Sequence, residues 1–439
     1  MENTDSTAFL KDKPTLSRIL EKYGHMSVLD YISSIYQIHT KDLSVTKKQE
    51  LHSVLDRLSQ RILKKPYPLE TSDLLNTSIT STADHHGVLT HPFFLGANYA
   101  RGLYIQTKTP YTTITTLPCA GISLSNNSYP RGYIYTDIVG QQHSLPFISL
   151  KNKNIPVYTA PLITKFSIQK TIDSMYLASI HTEDKKLIIS FLKELRDDSH
   201  LYTLVDFDEQ ASYINYLFFK HLDGCGDLDL VYFPQESVVR ELLLDYHVHT
   251  DTIISKLLFN TKYHSRFKKH FDTLVGAFDT TNHTGTELFW GISEKSRVSL
   301  SIVDGFLVSV DQSISIALSP KEIAQALQEK KIMPSMALTF IVLSFYYGVI
   351  CGGGYSQVDY LEKLALAWQN LCPVDTNIEN ILPSTDIYFG DIVFLKSKHK
   401  NLINGLDILN RKNIAVSDCI ISEDFNNFMI LINKSLNQK

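Results

Sequence analysis

The uncharged run from Ile332 to Val358 constrains what this chain can fold into more than any other stretch. Its apolar part, Met336 to Cys351, is about 16 residues long, short of the roughly 20 that span a bilayer. It follows Pro334 and ends in Gly352-Gly353-Gly354. A segment this apolar that does not cross a membrane must be covered by protein, so it reads as a core helix. The rest of the chain must then supply a large core, and 439 residues at 44% hydrophobic and 20% charged suffice for that.

The surrounding sequence divides by character. Residues 1–70 read as a helical N-terminal cap. Leu16, Ile19, Leu20 and Tyr23, continued by Leu29, Ile32, Ile35 and Tyr36, give one helix, and Leu51, Val54, Leu55, Leu58 and Ile62 a second. Residues 71–165 turn to Thr, Tyr, Ile, Gly, Asn and Pro, with strand-like runs at Tyr111–Leu117, Tyr133–Ile138, Leu145–Leu150 and Val157–Ala160. Residues 166–285 read as a mainly helical insertion around one buried strand at Leu228–Phe233. Residues 286–439 complete the core. Asp304-Gly305, between Leu300–Val303 and Phe306–Val308, marks a tight hairpin. Helices follow at 319–331, 334–350, 355–371, 400–412 and 422–436, with a strand near Ile387–Leu395. Helices alternating with short buried strands indicate an α/β class, and the hairpin makes the sheet mixed.

Charge and cysteine content exclude several roles. The formal net charge of -4, without a basic stripe, argues against nucleic acid as a partner. Cys119, Cys225, Cys351, Cys372 and Cys419 are scattered and form no CxxC pair, which fits a reducing compartment. Met1 to Pro14 lacks an apolar core of the secretory kind, so the expectation is a cytoplasmic protein with no membrane partner. No GxGxxG and no GxxxxGK[ST] is present.

The chemistry concentrates in three segments. Asp84-His85-His86-Gly87, with His91-Pro92 beyond it, gathers proton-transfer groups and metal-ligand types in a loop of Thr, Gly and small apolar residues. Asp84, His85 and His86 are the candidate acid/base group. Asp84 with His86, or His86 with His91, is the feasible metal pair, because adjacent side chains such as His85 and His86 on an extended loop point opposite ways. In the second segment, Cys119 is a candidate nucleophile, and Asn126, Asn127 and Arg131 suit recognition of an anionic group. Asn98 and Arg101 join this substrate-binding set. The third is Gly352-Gly353-Gly354 followed by Tyr355-Ser356-Gln357-Val358-Asp359-Tyr360. Here Gly353 and Gly354 allow close backbone approach to a ligand, with Gln357 and Tyr360 beside it.

Two of these segments together resemble the cysteine-adding enzyme of bacillithiol biosynthesis. His86-Gly87-Val88-Leu89-Thr90-His91-Pro92 follows the second half of that family's Gln-Gln-x-Gly-Leu-Phe-Thr-Gly-Pro, with His91 in place of a glycine. Gly353-Gly354-Tyr355-Ser356-Gln357-Val358-Asp359-Tyr360 follows its Gly-Gly-Pro-x-Glu-x-x-Tyr, with Tyr for Pro and Gln for Glu. The match covers about 20 residues of 439. The resemblance implies a Rossmann-like core and a ligase- or transferase-like reaction joining small metabolites, and the glutamine-to-histidine changes imply a different substrate. The Asp-His-His tripeptide also invites comparison with the DHH phosphoesterases, but no Asp-x-Asp lies upstream. The expectation is a cytosolic enzyme acting on a small polar or anionic metabolite, with the Asp84–Gly87 loop in its active site. The alternatives are a metal-dependent hydrolase using Asp84, His86 and His91, and a non-enzymatic binding or host-interaction protein. The cofactor is open between a divalent metal and a nucleotide, and the sequence sets no oligomeric state.

Overall fold

The computed structural model describes residues 6–88, 91–222, 225–372, 383–389 and 404–409. At its centre four short strands form a parallel sheet: Ile79–Ser81, Thr113–Thr116, Asp229–Tyr232 and Ile350–Gly352. Ile79–Ser81 and Thr113–Thr116 are interior, Asp229–Tyr232 pairs with the latter, and Ile350–Gly352 pairs with the former. Ile79 lies opposite Ile350, Ser81 opposite Thr116, and Thr116 opposite Tyr232. Side chains alternate between two apolar cores, as the two-residue period of a strand requires. Ile79, Ile114, Leu230 and Ile350 belong to one core, and Val231 and Cys351 to the other.

Parallel neighbours need crossover connections, and the first is the helix Pro92–Lys108. It starts where Pro92 pre-sets the first turn and the His91 ring accepts from the Phe93 N–H. The sequence reading expects no helix here. The reason is burial on nearly all sides, including Asn98 and Arg101, which leaves little apolar periodicity to read. The N-terminal cap holds three longer helices where two are expected: Pro14–Tyr23, Val28–His39 and Val45–Leu63. The first expected helix breaks at Gly24, and Ser27 restarts it by accepting from the Asp30 N–H.

A second sheet is antiparallel, in the spatial order Ser315–Ala317, Phe306–Ser309, Ser296–Val303, Phe289–Ser293, Ile332–Pro334. Asp304 and Gly305, both at positive φ (49° and 81°), make its expected hairpin turn. The chain is thus a mixed α/β protein with a parallel sheet. Val157–Ala160 is no strand. Val157–Thr159 is a 3₁₀ turn whose N–H groups at Val157 and Tyr158 donate to the Ile122 and Ala120 carbonyls.

The uncharged run is core, as its composition requires, but it is not one helix. Met336–Phe340 is α-helical and Ile341–Tyr346 is a π-helical turn. Gly348, at φ 88°, then reverses the chain into the edge strand Ile350–Gly352. No helix among the described residues is long and apolar enough to cross a membrane. Ile387–Phe389 continues the sheet edge by bridging Gly353, and Gly405–Leu409 is helical. The remainder of the strand expected to Leu395, most of 400–412 and all of 422–436 lie outside the described residues.

Candidate functional site

All four parallel strands deliver their carboxyl ends to one side of the sheet. Thr82–His86 leaves the first strand, Cys119–Gly121 the second, Gln235-Glu236 the third and Gly353–Tyr355 the fourth. The first two loops keep the strand pairing going, because the Cys119 N–H donates to the Asp84 carbonyl and the His86 N–H to the Cys119 carbonyl, both at 2.8 Å. His85 bridges Cys119, so these two side chains share a face while Asp84 and His86 point the other way.

That face borders a cavity of about 1040 Å³. His85, Cys119, Asn126, Asn127, Gln357 and Tyr360 line it together with Gly354 and His91. The three polar segments of the sequence therefore converge. Gln357 ties two of them directly, its Nε2 donating to the Thr82 hydroxyl at 2.6 Å. The far wall comes from elsewhere in the chain: the Thr273–Asp279 loop, Trp290, Arg297, Met333, Met336 and Phe340.

His85 is the side chain best suited to proton transfer. Asn126 Oδ1 already accepts from the Ser128 N–H at 3.0 Å, which fixes it as the acceptor end of the amide. His85 Nδ1, 3.1 Å away, must then donate, and Nε2 carries the lone pair. Burial lowers the imidazole pKa, partly offset by the Asn126 hydrogen bond, so the ring is a neutral base at pH 7. His91 is pushed down to about 3 by burial and by His85 beside it. Both rings pack on Phe94, at 5.3 Å and 5.5 Å between centroids.

Cys119 borders the cavity but is a poor nucleophile. Its thiol donates to Glu236 Oε1 at 3.3 Å, and burial together with that neighbouring carboxylate drives its pKa well up, away from the thiolate. Glu236 is held in turn by the Ala120 and Gly121 N–H groups, each at 2.8 Å.

Several expected site residues lie behind the sheet and not in the cavity. Asp84 is fully buried and accepts from Ser81, Asn98 and Tyr232; the Tyr232 hydroxyl is its closest partner. Asn98 and Arg101 belong to the same interior network. Arg101 pairs with Asp73 at 2.9 Å, with both side chains 0% exposed, and donates to Thr116 and to the Thr115 carbonyl. They are structural because helix Pro92–Lys108 presses that polar face onto the strand Thr113–Thr116. Arg131 turns from the cavity and lies 4.8 Å over the Tyr129 ring. Gly353 spends its N–H and carbonyl on Ile387 and Phe389, and a Cβ there would meet the Gln357 side chain at 2.7 Å.

His86 is structural as well. Its Nε2 is 2.8 Å from the Asp208 carbonyl, which can only accept, so Nε2 holds the proton and burial keeps the ring neutral. His86 Nε2 donates to the Asp208 carbonyl and His91 Nδ1 accepts at the helix cap, and His86 Nδ1 is buried without a partner among the described residues. Among the described residues no group of three or more His, Cys, Asp or Glu side chains is placed to hold a metal ion. Asp84, His86 and His91 form no such group. His86→Ala is expected to destabilise the fold by about 2–4 kcal/mol, from a lost buried hydrogen bond and the space left behind. Urea unfolding checks this. A loss below about 0.5 kcal/mol, within the ordinary surface range, would return His86 to the candidate site.

The sequence reading missed Glu236, Gln235, Trp290 and Arg297. Glu236 had a signal: it opens a helix just after a buried strand, a position at the carboxyl edge of a parallel sheet. Arg297 lies 4.5 Å over Trp290 and donates to the Gly121 carbonyl at 2.6 Å. Nothing local in the sequence marks that pair, because only tertiary folding brings residues 290–297 to Gly121. No protein-family model matches the chain, and no curated protein matches its sequence.

Proposed function

We propose that this chain is an enzyme that acts on a small polar or anionic metabolite in the cavity at the carboxyl ends of the parallel strands, with His85 as the proton-accepting group. The observation that carries this reading is the convergence of His85, Asn126 and Gln357, far apart in sequence, on one cavity. The strand order supports a Rossmann-like core. The first strand is central, the second and third follow on one flank, and the fourth sits on the other. In sheets of that kind the crevice beside the first strand, where the chain changes direction, takes the ligand. Here that crevice lies between Thr82 and Gly354.

The reaction class favoured is ligase- or transferase-like. The two segments that resemble the cysteine-adding enzyme leave neighbouring strands and both border the cavity. The volume, at the upper end of the usual range for one small ligand, leaves room for two reactants. Among the described residues Cys119, Cys351 and Cys372 form no disulfide, which supports a reducing cytoplasmic setting.

Hydrogen exchange tests the reading. A polar metabolite that raises the Tm of the full chain should protect 82–88, 119–128 and 354–360 together. Protection confined to any other surface would overturn the cavity as the site.

A further inference from the structure

Glu236 is a buried carboxyl whose pKa burial raises, and among the described residues no ion pair reaches it. It is 4% exposed and lines the cavity. Among the described residues it accepts from the Ala120 and Gly121 N–H groups, its own N–H and the Cys119 thiol, and it pairs with no cationic side chain, the Arg297 guanidinium being engaged with the Gly121 carbonyl and the Trp290 ring. Neutral donors lower the cost of burying a carboxylate but do not balance its charge. Beside it, Gln235 is 2% exposed and also lines the cavity; its side chain hydrogen-bonds to Cys119, and among the described residues its Oε1 has no hydrogen-bond donor. An orphaned buried acceptor next to an unpaired carboxylate calls for a group with positive charge and several N–H donors. A primary ammonium, with three donors and no acceptor, is that group. A water molecule would satisfy Gln235 and leave the charge.

The space in front of Glu236 is kept open by Gly121. A Cβ at that position would lie 3.0 Å from Glu236 Oε1 and 3.4 Å from the Met333 methyl carbon. The carboxylate and a thioether methyl thus border the same gap. Trp290, with the Arg297 guanidinium over one face of its ring, and Met336 continue the wall. An aromatic and thioether surface next to a carboxylate suits a cation on an apolar stem.

We propose that Gln235 and Glu236 form a subsite for the primary ammonium of an aryl- or alkylamine, with Met333 and Trp290 covering its stem. This rests on the cavity being the ligand site. The test is calorimetric titration of the full chain with benzylamine, benzyl alcohol and benzoate. Benzylamine should bind at least about tenfold more tightly than the alcohol, and Glu236→Gln should abolish that preference while leaving the alcohol unchanged. Gly121→Ala, which crowds the gap without touching the charge, should weaken the amine and serves if Glu236→Gln does not fold. Equal or tighter binding of benzyl alcohol or benzoate, an amine preference that survives Glu236→Gln, or amine binding that Gly121→Ala leaves unweakened overturns the ammonium subsite and leaves the cavity reading standing. No binding by any of the three also overturns the subsite. The cavity reading falls only if the three loops gain no protection from any metabolite.

Discussion

Replacing Arg101 with methionine is expected to destabilise the fold by about 3–5 kcal/mol, a substantial share of the roughly 5–15 kcal/mol available to a typical domain. The size follows from what is left behind. Asp73 is 0% exposed, and burial already raises its pKa, with Arg101 as the largest opposing influence. Without the guanidinium, the remaining donors are the Leu74 and Thr115 N–H groups and the Tyr36 hydroxyl. Those partners do not cancel a full charge in a dry interior. Guanidinium chloride unfolding of Arg101→Met beside Asp73→Asn/Arg101→Met checks this, and the double variant should recover part of the loss. A single-variant loss under about 1 kcal/mol, typical of exposed pairs, would mean the pair is not the buried keystone described here.

His85→Ala is expected to lower turnover by about 10²–10⁴, the ordinary contribution of a positioned proton-transfer group. Stability should fall only by about 1 kcal/mol, for one hydrogen bond to Asn126. The substrate is found first, by incubating wild type with a metabolite extract and following consumption by mass spectrometry. The pH profile separates a base from a merely shape-filling ring. His85 has a lowered pKa, so it stays unprotonated, and active, until the pH falls below the ordinary imidazole value of about 6.5. The acid limb of kcat should therefore lie below that value in wild type and vanish in the variant. A variant that turns over at the wild-type rate per folded molecule removes His85 from the mechanism.

The legible parts of this fold were those where a local rule acts alone. Asp304-Gly305 demands a tight turn wherever it stands between apolar runs, and Leu228–Phe233 had no other way to be buried than as a strand. The opposite orientation of His85 and His86 was likewise readable, since it depends only on extended backbone. What stayed hidden depended on partners. Helix Pro92–Lys108 is polar where it meets Thr115 and Thr116, so its buried face looked like a loop. Asn98 and Arg101 read as substrate ligands for the same reason: a polar side chain in a Gly-rich segment carries no mark of whether it faces solvent, ligand or core. Glu236 was missed because its partners, Ala120 and Gly121, are backbone groups more than a hundred positions away.

The placement of Ile350–Gly352 beside Ile79–Ser81 has a consequence for the order in which a ribosome can complete this molecule. The first sheet strand to be synthesised is an interior one, and the neighbour that covers its open edge arrives some 270 positions later, with Ile387–Phe389 following behind it. Chains emerge at about 5–20 residues per second, so that edge stays bare for tens of seconds on every nascent chain. Its backbone donors and acceptors are then available to any other extended segment within reach. Production of this protein is therefore exposed to premature strand pairing in a way that a domain built from sequential hairpins is not, and slower growth temperatures or added chaperone should raise its soluble yield more than changes at the surface do.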